Sequence, residues 1–82
     1  MEVINIIEVE NNQITGLASF AVIDPQEDSA IVQEAENCFA ETLRQRGVFD
    51  FAIERAIEDG YHEHENLGIK YSLSLMWSSI DI

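Results

Sequence analysis

The stretch IKYSLSLMW, residues 69–77, alternates apolar and polar side chains more cleanly than any other part of the chain. One face carries Ile69, Tyr71, Leu73, Leu75 and Trp77, and the other carries Lys70, Ser72 and Ser74. A period of two residues is that of a β-strand with one buried face. We therefore predict a strand whose apolar face packs on the core of the protein.

Two further strands are predicted near the start of the chain. EVINIIEVE (2–10) and ITGLASFAVI (14–23) are rich in β-branched and apolar residues, and they are separated by Asn11-Asn12-Gln13. Asparagine-rich connections of this length are typical of β-hairpins. We expect these strands to form a hairpin, and the last strand of the chain could lie beside the first.

Two helices are predicted between the hairpin and the last strand. Asp24 can cap the first helix, Pro25 suits its first position, and Glu27 has the spacing of a capping box. That helix should run to about Arg46, and Gly47 should end it. The expected apolar positions of the first helix are Ile31, Ala35, Cys38, Phe39, Thr42 and Leu43, and those of a second helix in VFDFAIERAIED (48–59) are Phe49, Ile53, Ala56 and Ile57.

The predicted fold class is α+β, with the order β-β-α-α-β in a single domain spanning residues 1–82. Its simplest packing is a three-stranded antiparallel sheet with both helices on one face. Residues 61–68 are polar and are interpreted as a connector. The other face of the last strand is rich in serine, so it could meet either water or a second chain, and a homodimer is possible.

The charge of the chain limits its partners. Sixteen Asp and Glu residues face four Lys and Arg residues, which gives a formal net charge of -12. Direct binding to nucleic acid or to an anionic membrane is not expected, because phosphates would be repelled. A basic protein surface is the natural complement, and solubility in a salty or crowded medium is the alternative. The chain starts without a signal-peptide pattern and has no apolar run of spanning length, so we expect a cytoplasmic protein.

The segment IEDGYHEHEN (57–66) raises the question of a metal site. His62 and His64 would point the same way on an extended segment, but a zinc site typically needs three or four ligands at defined spacing. We therefore expect no metal and no cofactor, and the neighbouring acids should raise the histidine pKa values. No catalytic motif accompanies them, so we expect that the protein is not an enzyme.

The acids on the helices recur at helical spacing. Asp50, Glu54 and Glu58 are four residues apart, and Glu27, Glu34 and Glu41 are seven apart. Like charges at a spacing of four cost a few tenths of a kcal/mol each, so stability does not favour this arrangement. The acids could form a solvated face or a binding face. The predicted partner-binding set comprises these six residues together with Asp59, Glu63 and Glu65.

The acidic ridge DFAIERAIEDGYHEHE (50–65), in a small chain with a short sheet and two helices, resembles the inhibitors made by phages and mobile elements. That class includes anti-CRISPR proteins and other DNA mimics. The resemblance is one of size, charge and layout. It implies that Asp50, Glu54, Glu58, Asp59, Glu63 and Glu65 occupy a nucleic-acid channel in a larger protein.

Two functions are therefore considered. The first is a non-enzymatic binding module, an inhibitor that docks its helix acids on the basic surface of a larger protein such as a CRISPR effector. The alternative is a structural or assembly protein that self-associates through its sheet.

Overall fold

The computed structural model describes residues 1–24 and 26–79. It contains an antiparallel sheet with two helices on one face, in the order β-β-α-α-β-β. The elements are β1 (Glu2–Glu10), β2 (Gln13–Val22), α1 (Ser29–Gln45), α2 (Asp50–Asp59), β3 (Tyr61–Asn66) and β4 (Ile69–Ser79). None of the described helices is long and apolar enough to cross a membrane.

The strands lie in the order β2-β1-β4-β3. β1 pairs with β2 from Glu2↔Val22 to Glu10↔Gln13, through a two-residue turn at Asn11-Asn12. On its other side β1 pairs with β4 from Glu2↔Ser79 to Glu10↔Tyr71. The predicted hairpin and the predicted neighbourhood of the first and last strands are both confirmed.

The prediction of a three-stranded sheet is wrong, because residues 61–66 form a fourth strand. β3 pairs with β4 from Tyr61↔Ser74 to Asn66↔Ile69. As an edge strand it tolerates charged residues, which also discourage pairing with other chains. In the sequence of β3, histidines alternate with glutamates, and no aliphatic side chains mark a buried face. The segment therefore resembles a polar connector in the sequence. The turn that joins it to β4 places Leu67 and Gly68 at positive φ, 52° and 79°.

The first helix begins later than predicted, at Ser29. The carboxylate of Asp28 accepts hydrogen bonds from the backbone N–H groups of Ile23, at 2.9 Å, and Asp24, at 3.0 Å. Asp24 in turn accepts a bond from the N–H of Gln26, at 3.0 Å. These side-chain bonds close a turn before the helix instead of capping its first residues. The predicted role of Pro25 lies outside the described residues.

The second helix is followed by Gly60, which caps its C-terminal end and also joins α2 to the sheet. Gly60 has a left-handed conformation, φ 68°, and its N–H donates to the carbonyl of Ala56 at 2.7 Å. Its own carbonyl accepts a bond from the N–H of Leu75 at 2.9 Å. A Cβ at this position would lie 3.1 Å from the carbonyl oxygen of Leu75. Only glycine suits both the conformation and the close approach.

The core lies between the helices and the inner face of the sheet, which we define as the face that the helices cover. Residues at most 2% exposed are Ile4, Ile6, Val22, Ala35, Phe39, Leu43, Ile53, Ala56 and Leu73. Six of the fifteen predicted apolar positions are in this list, and Leu73 is the one of them on the last strand. Four more, Ile31, Cys38, Ile57 and Leu75, are partly buried against the core, whereas Trp77 is 45% exposed. β3 ends where Tyr61 pairs with Ser74, so Trp77 has a neighbouring strand on one side alone.

Leu73 is the fully buried residue of β4, and its truncation tests the inner face of the sheet. We expect Leu73→Ala to lower the free energy of unfolding by about 2 to 5 kcal/mol, because it removes buried methyl groups and leaves a cavity. Urea denaturation measures the change. Leu67→Ala is the matched control, since Leu67 is 94% exposed and should change stability by at most about 0.5 kcal/mol. Equal effects of the two substitutions would contradict the packing of β4.

Candidate functional site: an acidic groove between the helices

The two helices contact each other and leave between them a groove of about 740 Å³, which we call the acidic groove. It is lined by Glu34, Asn37, Cys38, Ala40, Glu41 and Arg44 of α1 and by Asp50, Ile53, Glu54 and Ile57 of α2. Ala40 and Ile53 belong to the hydrophobic core, so the base of the groove is apolar. Its walls carry carboxylates from both helices, so the groove combines apolar surface with negative charge.

Among the residues that the structure describes, Arg44 is the one cation that lines the groove, and it bridges the two walls. Its guanidinium lies 3.6 Å from Glu41 of α1 and 3.3 Å from Asp50 of α2. The side chains of Arg44 and Asp50 are 53% and 87% exposed, so water weakens the ion pair. Four carboxylates and one guanidinium leave the groove with a formal charge of -3.

The groove unites four of the nine predicted partner-binding residues: Glu34, Glu41, Asp50 and Glu54. Glu58 is exposed one turn beyond Glu54 and continues the acidic row of α2 past the groove. Glu27 is exposed in the turn before α1 and lies outside the groove. The regularly spaced acids of the two helices therefore meet at the acidic groove, although Glu27 and Glu58 lie outside it.

The remaining three predicted residues lie elsewhere. Asp59 forms an exposed ion pair with Arg55, at 3.5 Å. Glu63 and Glu65 alternate with residues of the inner face of β3, so their side chains lie on the opposite face of the sheet from the helices. Glu63 accepts a hydrogen bond of 2.8 Å from the Tyr61 hydroxyl, which raises the pKa of that tyrosine. The acids of residues 50–65 are thus divided between two faces.

A pair of exposed phenylalanines flanks Asp50 at the start of α2. The rings of Phe49 and Phe51 stack with their centroids 5.9 Å apart, and the residues are 72% and 78% exposed. The prediction that Phe49 lies on the buried side of the helix is wrong. Phe49 precedes the first turn with an extended backbone, ψ 150°, so the helical period does not set the direction of its side chain.

A second polar cluster lies on the inner face of the sheet, beside the end of α1. Arg46 donates two hydrogen bonds to the carboxylate of Glu8 on β1, at 2.9 and 3.1 Å. These bonds raise the pKa of Arg46 against the opposing effect of its burial. The two side chains are 31% and 14% exposed. This paired contact fixes the C-terminal end of α1 on β1.

His64 belongs to the same cluster and stacks on Tyr71, with 5.1 Å between the ring centroids. Its Nδ1 is shielded from solvent and makes no hydrogen bond within residues 1–24 and 26–79. Burial lowers the pKa of His64, and the charges of His62 and Arg46 lower it further, whereas Glu8 raises it. The prediction that the acids raise the histidine pKa values is wrong for His64, because its desolvation outweighs the attraction of Glu8.

No group of three or more His, Cys, Asp or Glu side chains is arranged to hold a metal ion in the described part of the chain. The rings of His62 and His64 lie near each other on β3, with centroids 6.3 Å apart.

Comparison with protein-family models, with curated proteins and with solved structures finds no match to this chain.

The lowered pKa of His64 predicts a dependence of stability on pH. Well above pH 6.5 the imidazole is neutral in both the folded and the unfolded state. As the pH falls from 6.5 through the folded pKa, the unfolded chain takes up a proton that the folded protein resists, so the free energy of unfolding decreases. NMR titration should place the His64 pKa below 6.5.

Comparison with His64→Gln isolates this effect from that of the carboxylates. Over the range from about pH 7 to about pH 5, the wild type should lose more stability than the variant, as measured by urea denaturation. An equal change of the free energy of unfolding with pH in both proteins, or a His64 pKa above 6.5, would contradict the lowered pKa of His64.

Proposed function

We propose that this protein is a non-enzymatic binding module that docks on a basic surface of a larger protein through the acidic groove and the Phe49–Phe51 pair. The observation that carries the proposal is the convergence of four carboxylates from two helices on one groove, beside two exposed stacked phenylalanines.

The charges of the groove support a contact with a cationic partner. The like charges of α2 cost a few tenths of a kcal/mol for each pair at a spacing of four residues, and one guanidinium offsets part of this repulsion. A partner that supplies Lys or Arg side chains would remove the repulsion on binding. The net charge of -12 would also attract such a partner over a distance and increase the association rate.

The phenylalanines support a contact that excludes water. Aromatic residues are enriched in the buried centres of protein interfaces, and burial of a large apolar side chain contributes about 1.5 to 3 kcal/mol. Both rings are largely exposed in the isolated chain, so they retain apolar surface to bury against a partner. The charges of the groove would then orient the partner, and burial of the two rings would provide much of the affinity.

The class of partner that fits this surface best is a protein with a basic nucleic-acid channel, because such channels concentrate Lys and Arg. An acidic module seated there competes with the phosphates of the nucleic acid and acts as an inhibitor. The resemblance to anti-CRISPR proteins and DNA mimics suggests a CRISPR effector as the first partner to test.

Charge reversal in the groove tests the electrostatic part of the proposal. We expect Glu34→Lys combined with Glu54→Lys to weaken binding to a guide-loaded CRISPR effector by at least about tenfold, roughly 1.4 kcal/mol, since each reversed charge repels the basic surface. Displacement of a fluorescent DNA duplex from the effector measures this. Effectors of several types should be assayed in parallel with a histone octamer.

The control reverses Glu10 and Glu27, which are exposed outside the groove and change the net charge equally. We expect this variant to retain most of the wild-type affinity. Equal weakening by both variants would show that bulk charge alone matters. If the wild type displaces DNA from none of the proteins in the panel, the proposal of a DNA-competing inhibitor is overturned.

Removal of the two rings tests the apolar part of the contact. We expect Phe49→Ala combined with Phe51→Ala to leave the circular dichroism spectrum and the unfolding midpoint nearly unchanged, because both rings are exposed. Affinity in the displacement assay should fall at least about tenfold, because their buried surface is lost. Leu67→Ala, which removes another exposed apolar side chain, should not change the affinity. Unchanged affinity in the double variant would exclude the rings from the contact.

A further inference from the structure

The face of the sheet opposite the helices, which we call the open face, carries an apolar strip. On β1 it comprises Val3, Ile7 and Val9, and neighbouring strands add Ile14, which is 74% exposed, and Met76, which is 53% exposed. An antiparallel sheet with one solvated face normally presents polar residues to the water. β1 is instead apolar on both faces, because Ile4 and Ile6 fill the core side. Such a strand is typical of a sheet that is covered on both sides.

The polar groups at the centre of the open face already satisfy one another. Asn5 accepts a hydrogen bond of 2.7 Å from Ser19 on β2 and donates one of 3.3 Å to Ser78 on β4. The Ser78 hydroxyl donates to the carbonyl of Val3, at 3.5 Å. Covering this network with an apolar surface would therefore leave few unsatisfied donors or acceptors, and the desolvation cost would be small.

The open face is also poor in charge, in contrast to the rest of the molecule. The charged side chains on it are Lys70, Glu63 and Glu65, at the β3 edge, within the described part of the sheet. A strongly basic partner would find little to bind there. A surface of the same composition, made of β-branched residues, serine and methionine, would match it, and a second copy of this chain provides one.

We propose that two copies of this chain associate through their open faces and form a symmetric four-layer dimer, with the sheets stacked in the middle and the helices outside. Four strands of about nine residues give a face of roughly 19 by 30 Å, or about 600 Å² in projection. The accessible area is larger because side chains protrude, and it approaches the roughly 800 Å² that each partner buries in a standard interface. The same surface on both copies satisfies a two-fold symmetric contact.

The charge of the acidic grooves does not oppose this dimer. Stacked sheets lie about 10 Å apart, and each helix layer lies about 10 Å beyond its sheet, so the acidic grooves of the two copies are roughly 30 Å apart. This exceeds the Debye length of about 8 Å at physiological ionic strength, so their repulsion is screened. Both grooves and both phenylalanine pairs remain exposed on the outside, and the dimer is independent of the function proposed for them.

The mass of the full chain in solution tests the proposal. Sedimentation equilibrium at about 100 µM protein should give twice the monomer mass of 9.3 kDa. This concentration exceeds the dissociation constants of interfaces of standard size, which are micromolar at their weakest. The dimer should persist at about 1 M salt, because an apolar contact does not depend on charge attraction. A wild-type chain that sediments as a monomer, or a dimer that dissociates in salt, would overturn the proposal.

Substitutions locate the interface. Ile7→Lys and Met76→Lys each introduce a charge on the open face and should yield monomers with an unchanged circular dichroism spectrum, because neither side chain lies in the core. Leu67→Lys introduces the same charge at the tip of the β3–β4 hairpin and should remain dimeric. Folded Lys variants that stay dimeric, or a monomeric Leu67→Lys, would place the interface elsewhere.

A measurement on the wild type avoids any effect of substitution on folding. In a mixture of isotope-labelled and unlabelled protein, intermolecular nuclear Overhauser effects should connect the methyl groups of Val3, Ile7, Val9 or Met76 across the two copies. Intermolecular effects that involve Phe49 and Phe51, and none on the open face, would overturn the proposed arrangement.

Discussion

The antiparallel pairing of β1 with β4 is the constraint on which the rest of the structure depends. It joins residues from Glu2↔Ser79 to Glu10↔Tyr71 and makes these two strands the centre of the sheet. β2 and β3 can then each add to one side through a two-residue turn. The same register places Ile4, Ile6 and Leu73 on one face. There Phe39 and Leu43 of α1 cluster with Ile6 and Leu73, and Ala35 of α1 clusters with Ile4. A shift of one residue would turn every one of these strand side chains to the opposite face.

This arrangement separates charge from apolar surface. The helices cover the inner face with their apolar sides and direct their carboxylates outward, where α1 and α2 meet at the acidic groove. The open face carries the hydrogen-bonded Asn5, Ser19 and Ser78 among apolar residues and little charge. The helix side, with its carboxylates, matches the basic partner proposed above, and the open face, which carries little charge, matches the proposed second copy.

The part of the inner face beside the end of α1 shows how polar residues extend a sheet beyond its aliphatic core. There the Glu8–Arg46 pair and the stacked His64 and Tyr71 occupy positions that aliphatic residues occupy further along the strands. The alternation in YHEHEN is therefore a strand pattern, although hydrophobicity does not reveal it. β3 is not visible in a hydrophobic pattern because histidine counts as polar there, whereas the imidazole of His64 packs on an aromatic ring as a flat, partly desolvated group. The same packing reverses the expected direction of its pKa shift.

The sequence by itself determined the elements with strong local signals. The alternation of IKYSLSLMW, the turn at Asn11-Asn12 and the glycines after both helices each depend on backbone geometry and on the nearest neighbours along the chain. Tertiary structure alone decided which acids lie together, because the packing of α1 against α2 brings Glu34 and Glu54 to one groove and the pleat of β3 directs Glu63 to the other side of the sheet. It also decided the exposure of Phe49 and the desolvation of His64. Charge along a chain is a one-dimensional property, whereas a binding surface is formed by residues that folding brings together.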